Sequence, residues 1–237
     1  LPNLKSVEVK ALGRLVAVWS ATGTTVYTNT AAAIRFFAIE LTAATSPVSN
    51  IQGNTITAIS LTTTSAASTA PGIFDGISVL AGAVNVGTTS PNTIGATTGT
   101  GAISVTSTTS GGFIGGITVA STGTSSIQNN LIGAINTTGG ATIGYVFNGI
   151  QSTGALGNFT ISGNTIGSTA TANSIAMGTS GTTTAATTII GINNSATGTM
   201  SITGNTIQNC SSFGSGASVF AGITNAGGTG TLALSTN

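Results

Sequence analysis

One short phrase recurs along this chain and constrains the fold more than any other feature. Ser201-Ile202-Thr203-Gly204-Asn205-Thr206-Ile207 is nearly repeated at Ile161-Ser162-Gly163-Asn164-Thr165-Ile166 and at Ile51-Gln52-Gly53-Asn54-Thr55-Ile56. Looser copies centre on Asn92 and Asn130, and Asn237 closes a sixth. Successive asparagines lie 38, 38, 34, 41 and 32 residues apart, which is the period range of stacked repeat architectures. A small residue followed by Ile precedes each asparagine: Ala38-Ile39, Gly76-Ile77, Gly116-Ile117, Gly149-Ile150, Gly191-Ile192 and Gly222-Ile223. From that Ile forward to the Asn the count is 15, 15, 13, 14, 13 and 14, whereas the return arc varies from 18 to 28. A near-constant arc must superpose from coil to coil. The variable arc is expected to carry its insertions on one face.

Aligning the repeats gives columns. Three residues before each Ile stand Phe36, Phe74, Ile114, Phe147, Ile189 and Phe220. Three before each Asn stand Ile51, Thr89, Ile127, Ile161, Ile202 and Leu234, and two after come Ile56, Ile94, Ile132, Ile166 and Ile207. Like residues stacked at the strand spacing of about 4.8 Å would form continuous apolar columns inside the molecule. Asn54, Asn92, Asn130, Asn164, Asn205 and Asn237 are expected at a bend, where asparagine bonds its own backbone, tolerates left-handed geometry and stacks as an amide ladder.

These phrases resemble the I-x-x-N-x-I repeats of right-handed parallel β-helix proteins secreted by or displayed on bacteria. The resemblance covers roughly Ala31 to Asn237. It implies an all-β solenoid of about six coils, three short strands per coil, an asparagine ladder between the second and third, and variable Thr/Ser-rich loops. It also implies an extracellular, cell-surface setting. The fold alone does not choose among lyases, hydrolases, adhesins and fibres. Residues 1–30 do not fit the repeat and read as a cap or a linker from a preceding region, leaving 31–237 as the solenoid, a piece of a longer chain or one unit of a stack.

Charge narrows the function. Charged residues make up 3% of the chain, against roughly 25% in ordinary proteins. All seven lie early: Lys5, Glu8, Lys10, Arg14, Arg35, Glu40 and Asp75, with no Asp, Glu, Lys, Arg or His beyond. Four basic residues without a stripe do not supply the phosphate neutralisation that nucleic acid needs. No apolar run reaches the roughly 18 residues of a spanning helix. Catalysis and metal binding require titratable or ligating side chains, and most of the repeats have none. The one cluster is Arg35, Glu40 and Asp75, brought together if Phe36 stacks on Phe74; a lyase could use such a group, and a partly exposed ion pair or small network at the edge of the solenoid is the expectation there. Without His there is no Ser-His-Asp system. Cys210 stands alone and reads as a buried, inert thiol.

The expectation is therefore a non-enzymatic structural or adhesive module with no catalytic residue, metal or cofactor. A long neutral exterior offers no Coulomb barrier to association into a homo-oligomer or filament, or to contact with surface glycans. The second expectation is a polysaccharide-binding or polysaccharide-degrading β-helix whose active coils lie outside this stretch. The third is ice binding, on the rank Thr55, Thr93, Thr165 and Thr206, which Leu131 interrupts.

Overall fold

The computed structural model describes residues 27–28, 32–155, 157–227, 231–235 and 237. The described residues hold no helix; their strands pair in parallel to form four sheets, and the fold is a parallel β-solenoid. Sheet one has six strands, Phe36–Thr42, Phe74–Ala81, Phe113–Ala120, Val146–Thr153, Thr188–Asn194 and Val219–Asn225. Sheet two has six, Ser49–Ile51, Val84–Val86, Thr124–Gln128, Asn158–Ser162, Met200–Thr203 and Leu232–Ser235. Sheet three is a ladder of five short strands from Thr55–Ile56 to Thr206–Ile207. Sheet four has six, beginning with Tyr27–Thr28 and Ile59–Thr63 and ending with Cys210–Ser212. Tyr27 pairs with Ile59, so the stacking includes residues before Ala31. The rest of residues 1–30 lies outside the described residues.

The fourth sheet departs from the three strands per coil that the resemblance implies. The arc after each asparagine is two strands with a corner between them. At that corner Ala58, Ala134 and Asn209 adopt positive φ (58°, 54° and 52°), a turn too tight for extended backbone. Where the corner is enlarged, Gly95 and Gly167 supply the positive φ instead. The enlargements that follow them meet over the tight corner between, with Ser168 Oγ donating to Thr97 O (2.9 Å) and Gly99 N to Thr171 Oγ1 (2.9 Å). Insertions therefore sit at more than one corner of the coil, not on a single face.

Strand pairing places like residues in register. Phe36 pairs with Phe74, Phe74 with Ile114, Ile114 with Phe147, Phe147 with Ile189 and Ile189 with Phe220. The Phe36 and Phe74 rings stack with centroids 6.1 Å apart and planes 3° from parallel. Ile51, Ile127, Ile161 and Ile202 are fully buried, as are Ile56, Ile94, Ile132 and Ile166. Each buried Ile or Phe contributes roughly 1.5–3 kcal/mol by leaving water, so the columns dominate stability.

One position corrects the alignment, and three others keep their columns but are not buried. Val86, not Thr89, pairs with Ile51 and Ile127 and fills the column. That coil carries three extra residues between column and asparagine, and Gln52 Oε1 organises them by accepting from Thr89 N (3.0 Å) and Ser90 N (3.2 Å). Phe220 and Leu234 occupy their columns but are 56% and 52% exposed, because no described strand lies beyond them. Ile207 is half-buried for the same reason. Sheet four adds a column absent from the alignment, Ile59, Ile103, Ile135 and Ile175, each buried and in register.

Candidate functional site

The asparagines form a continuous wire. Each Oδ1 accepts twice from the asparagine one coil earlier: Asn130 Oδ1 from Asn92 N (3.2 Å) and Nδ2 (2.8 Å), and Asn164 Oδ1 from Asn130 N (2.9 Å) and Nδ2 (3.0 Å). The pattern runs from Asn54 through Asn205 to Asn237. Each amide nitrogen also donates backwards to the carbonyl of a column residue, Asn92 to Ile51, Asn130 to Val86, Asn164 to Ile127 and Asn205 to Ile161. Asn54, Asn92, Asn130, Asn164 and Asn205 are all at most 3% exposed, where an unpaired amide would be costly. The left-handed residue of the turn is not the ladder asparagine but the one before it: Gly53, Asn129, Gly163 and Gly204, with φ between 59° and 66°.

A second polar file lies at the end of the sheet-one strands. Ser152 Oγ donates to Asn194 Oδ1 (2.8 Å), and Asn194 Nδ2 to Asn225 Oδ1 (2.6 Å). These three continue inward the register of Leu41, Val79 and Val119. The pattern Ile150-x-Ser152, Ile192-x-Asn194, Ile223-x-Asn225 carried that signal in the sequence. Sheet three aligns Thr55, Thr93, Leu131, Thr165 and Thr206 in one rank.

Among the described residues the charged side chains are Arg35, Glu40 and Asp75, on or beside sheet one. Arg35, exposed, lies with its guanidinium 4.8 Å from the centroid of the Phe37 ring. Its Nε donates to Gly72 O (2.9 Å) and a terminal nitrogen donates to Pro71 O. Gly72 N in turn donates to Asp75 Oδ2 (2.7 Å). A peptide group thus links Arg35 to Asp75 in a small network, with the carboxylate end buried rather than partly exposed. Asp75 is fully buried and its Oδ1 has no hydrogen-bond partner. The carboxylate leans over the neighbouring coil where Gly115 has no side chain; a Cβ there would lie 1.9 Å from Oδ1. Burial pushes the carboxyl up from 3.8 to about 7, against the Gly72 N–H, the Thr118 hydroxyl and the Arg35 charge. Ser78 Oγ and Asn148 Oδ1, buried on the same sheet, are also unpartnered. Beside them is a pocket of about 90 Å³ lined by Ala70, Pro71, Ser78, Leu80, Thr118 and Gln151.

One consequence is a pH-dependent stability. The raised carboxyl favours folding fully below about pH 4, and that contribution is lost as pH rises through about 7, up to about 4 kcal/mol. Chemical denaturation of the native chain is expected to show this decline, and Asp75→Asn to remove it. A decline of equal size in the variant would assign the effect elsewhere.

Cys210 is half-buried rather than buried. Its Sγ donates to Gln208 O (3.3 Å), and burial pushes the thiol up to about 11, so thiolate is scarce at neutral pH. Among the described residues no group of three or more His, Cys, Asp or Glu is placed to hold a metal, and no helix is long and apolar enough to cross a membrane. Comparison with protein-family models, curated proteins and solved structures gives no match.

Proposed function

We propose that this chain is a structural or adhesive module of an extracellular bacterial surface fibre or large adhesin, acting by self-assembly and surface contact, without catalysis. The observation that carries the reading is the distribution of chemistry. Beyond Asp75 the exterior holds no charge, while the interior is wired along its length by columns and amides. Such a body resists extension along its axis through hydrogen bonds in parallel, and its neutral flanks do not repel copies of themselves. We read it as a right-handed solenoid of six coils, since parallel crossovers within a sheet are right-handed in about 98% of cases.

The test is sedimentation velocity of the purified chain over a concentration series, from low to molar salt. Association that grows with concentration and is unmoved by salt is expected, because no charge pairs carry the contact. A monodisperse monomer throughout, or association abolished by salt, would contradict the reading. The polysaccharide alternative places its active coils outside this stretch; a polysaccharide contact within it has one favouring observation, the pocket on sheet one with its unpartnered Ser78 hydroxyl, and retention of this chain on immobilised polysaccharide would move the reading there.

A further inference from the structure

We propose that residues 64–72 form a strap over the outer face of sheet one that opens when Asp75 loses its proton. The strap begins at Thr64, whose N–H donates to Ala32 O (3.0 Å). It is pinned midway where Phe113 N donates to Ala67 O (2.8 Å) and re-enters the sheet where Ile73 N donates to Phe113 O (2.9 Å). Between those pins, residues 68–72 are held from below by three bonds. Two come from Arg35, to Pro71 O and Gly72 O, and the third is Gly72 N to Asp75 Oδ2. Ser68 and Thr69 at the crest are exposed, whereas Gly72 beneath is buried. The segment has no charge of its own and no apolar side chain larger than alanine or proline, so little besides these bonds keeps it down.

The closed arrangement suits a neutral carboxyl. Oδ2 accepts from Gly72, and Oδ1 faces Gly115 without a hydrogen-bond partner, the neighbouring Thr118 hydroxyl donating to Ile77 O (3.5 Å). Ionisation strengthens the first contact but leaves a full charge on a buried Oδ1, which is the larger effect. That charge is relieved by water, and water reaches it when Gly72 lifts and the Pro71–Ala70 roof moves with it. Two charged groups bear on the carboxyl: Arg35 lowers it, and Glu40, half-buried on the adjacent strand, raises it further; the Phe113–Ala120 strand and the strap contribute none. With the closed carboxyl near 7 and the open one near 3.8, the opening constant grows about tenfold per pH unit between those limits and is flat above them. Opening uncovers Ser78, Thr118 and the buried face of Asp75, so the one titratable patch of sheet one is reached by solutes on the neutral side and shielded on the acidic side.

Native-state hydrogen exchange on the whole chain tests this, with each rate divided by its intrinsic value at that pH. From about pH 5 to about pH 7 the opening constant of the Gly72 amide is expected to rise about 100-fold, then level, while that of Ile73, bonded into the sheet, stays with the strand. The Gly72 value should exceed those of the Phe113–Ala120 strand throughout, because the strap opens without the solenoid. In Asp75→Asn the strap amides should show no such rise. Strap amides that exchange only as slowly as the strand, or a rise retained in the variant, would overturn the proposal. Should the variant fail to fold, the comparison of strap and strand in the native chain still decides.

Discussion

Asn164→Ala is expected to lower the free energy of unfolding by about 3–5 kcal/mol, read from the midpoint of a denaturant titration at unchanged slope. A turn asparagine satisfying only its own backbone would cost about 1–2 kcal/mol, the value of one or two lost bonds. The wiring raises that figure. The Asn164 side chain is fully buried and takes part in five hydrogen bonds, to Asn205 Oδ1, Ile127 O and Ser162 O and from Asn130 N and Nδ2. Alanine strips the acceptor from the Asn130 backbone N–H and leaves the Ile127 carbonyl without its amide donor, in a space closed to water. Thr165→Ala, one residue on at the partly exposed rank, is the matched control and should stay within about 0.5 kcal/mol. Equal effects at the two positions would mean that the amide wire does not carry the turn.

Gly149→Val is expected to cost about 3 kcal/mol or more, and at this size to give a large loss in midpoint or no folded protein. The small residue before each Ile in sheet one faces the Ile column of sheet three across the core. An ideal Cβ at Gly149 would stand 2.8 Å and 2.9 Å from the Ile166 methyls and 2.7 Å from Gly191 O. The same collision recurs at Gly76 with Ile94, Gly116 with Ile132 and Gly191 with Ile207. Valine adds two further methyls, and a packed interior has no space to give them. Gly222 occupies the same column where nothing lies within 4 Å, so Gly222→Val should be nearly neutral. A Gly149→Val protein as stable as Gly222→Val would refute the packing described.

Particular residues explain how far the sequence could be read. The stacking was legible because each coil must present the same residue to the same neighbour, so Asn, Ile and Phe recur at fixed offsets. Counting failed where an insertion fell between two landmarks. Thr89 stands three before Asn92 as Ile51 stands before Asn54, yet the extra residues of that turn put Val86 in the column. Sheet four was hidden by composition. Ile59-Ser60-Leu61-Thr62-Thr63 alternates correctly for a strand, but its outward Ser and Thr blend into the Thr-rich arc that follows. Only the recurrence of Ile59-x-Leu61, Ile103-x-Val105 and Ile175-x-Met177 distinguishes it. The environment of Asp75 was not legible. Its burial and its missing partner arise from a strap that folds back through Gly72 and from the absent side chain of Gly115, neither of which leaves a periodic mark.

Electron microscopy of the purified chain at neutral pH tests the central claim most directly, because a neutral, axially wired solenoid has a visible consequence. The expected result is elongated rods joined end to end or side by side into filaments with a regular repeat, persisting in high salt. Dispersed single rods at every concentration would contradict self-assembly while leaving the solenoid standing, and globular particles would contradict both.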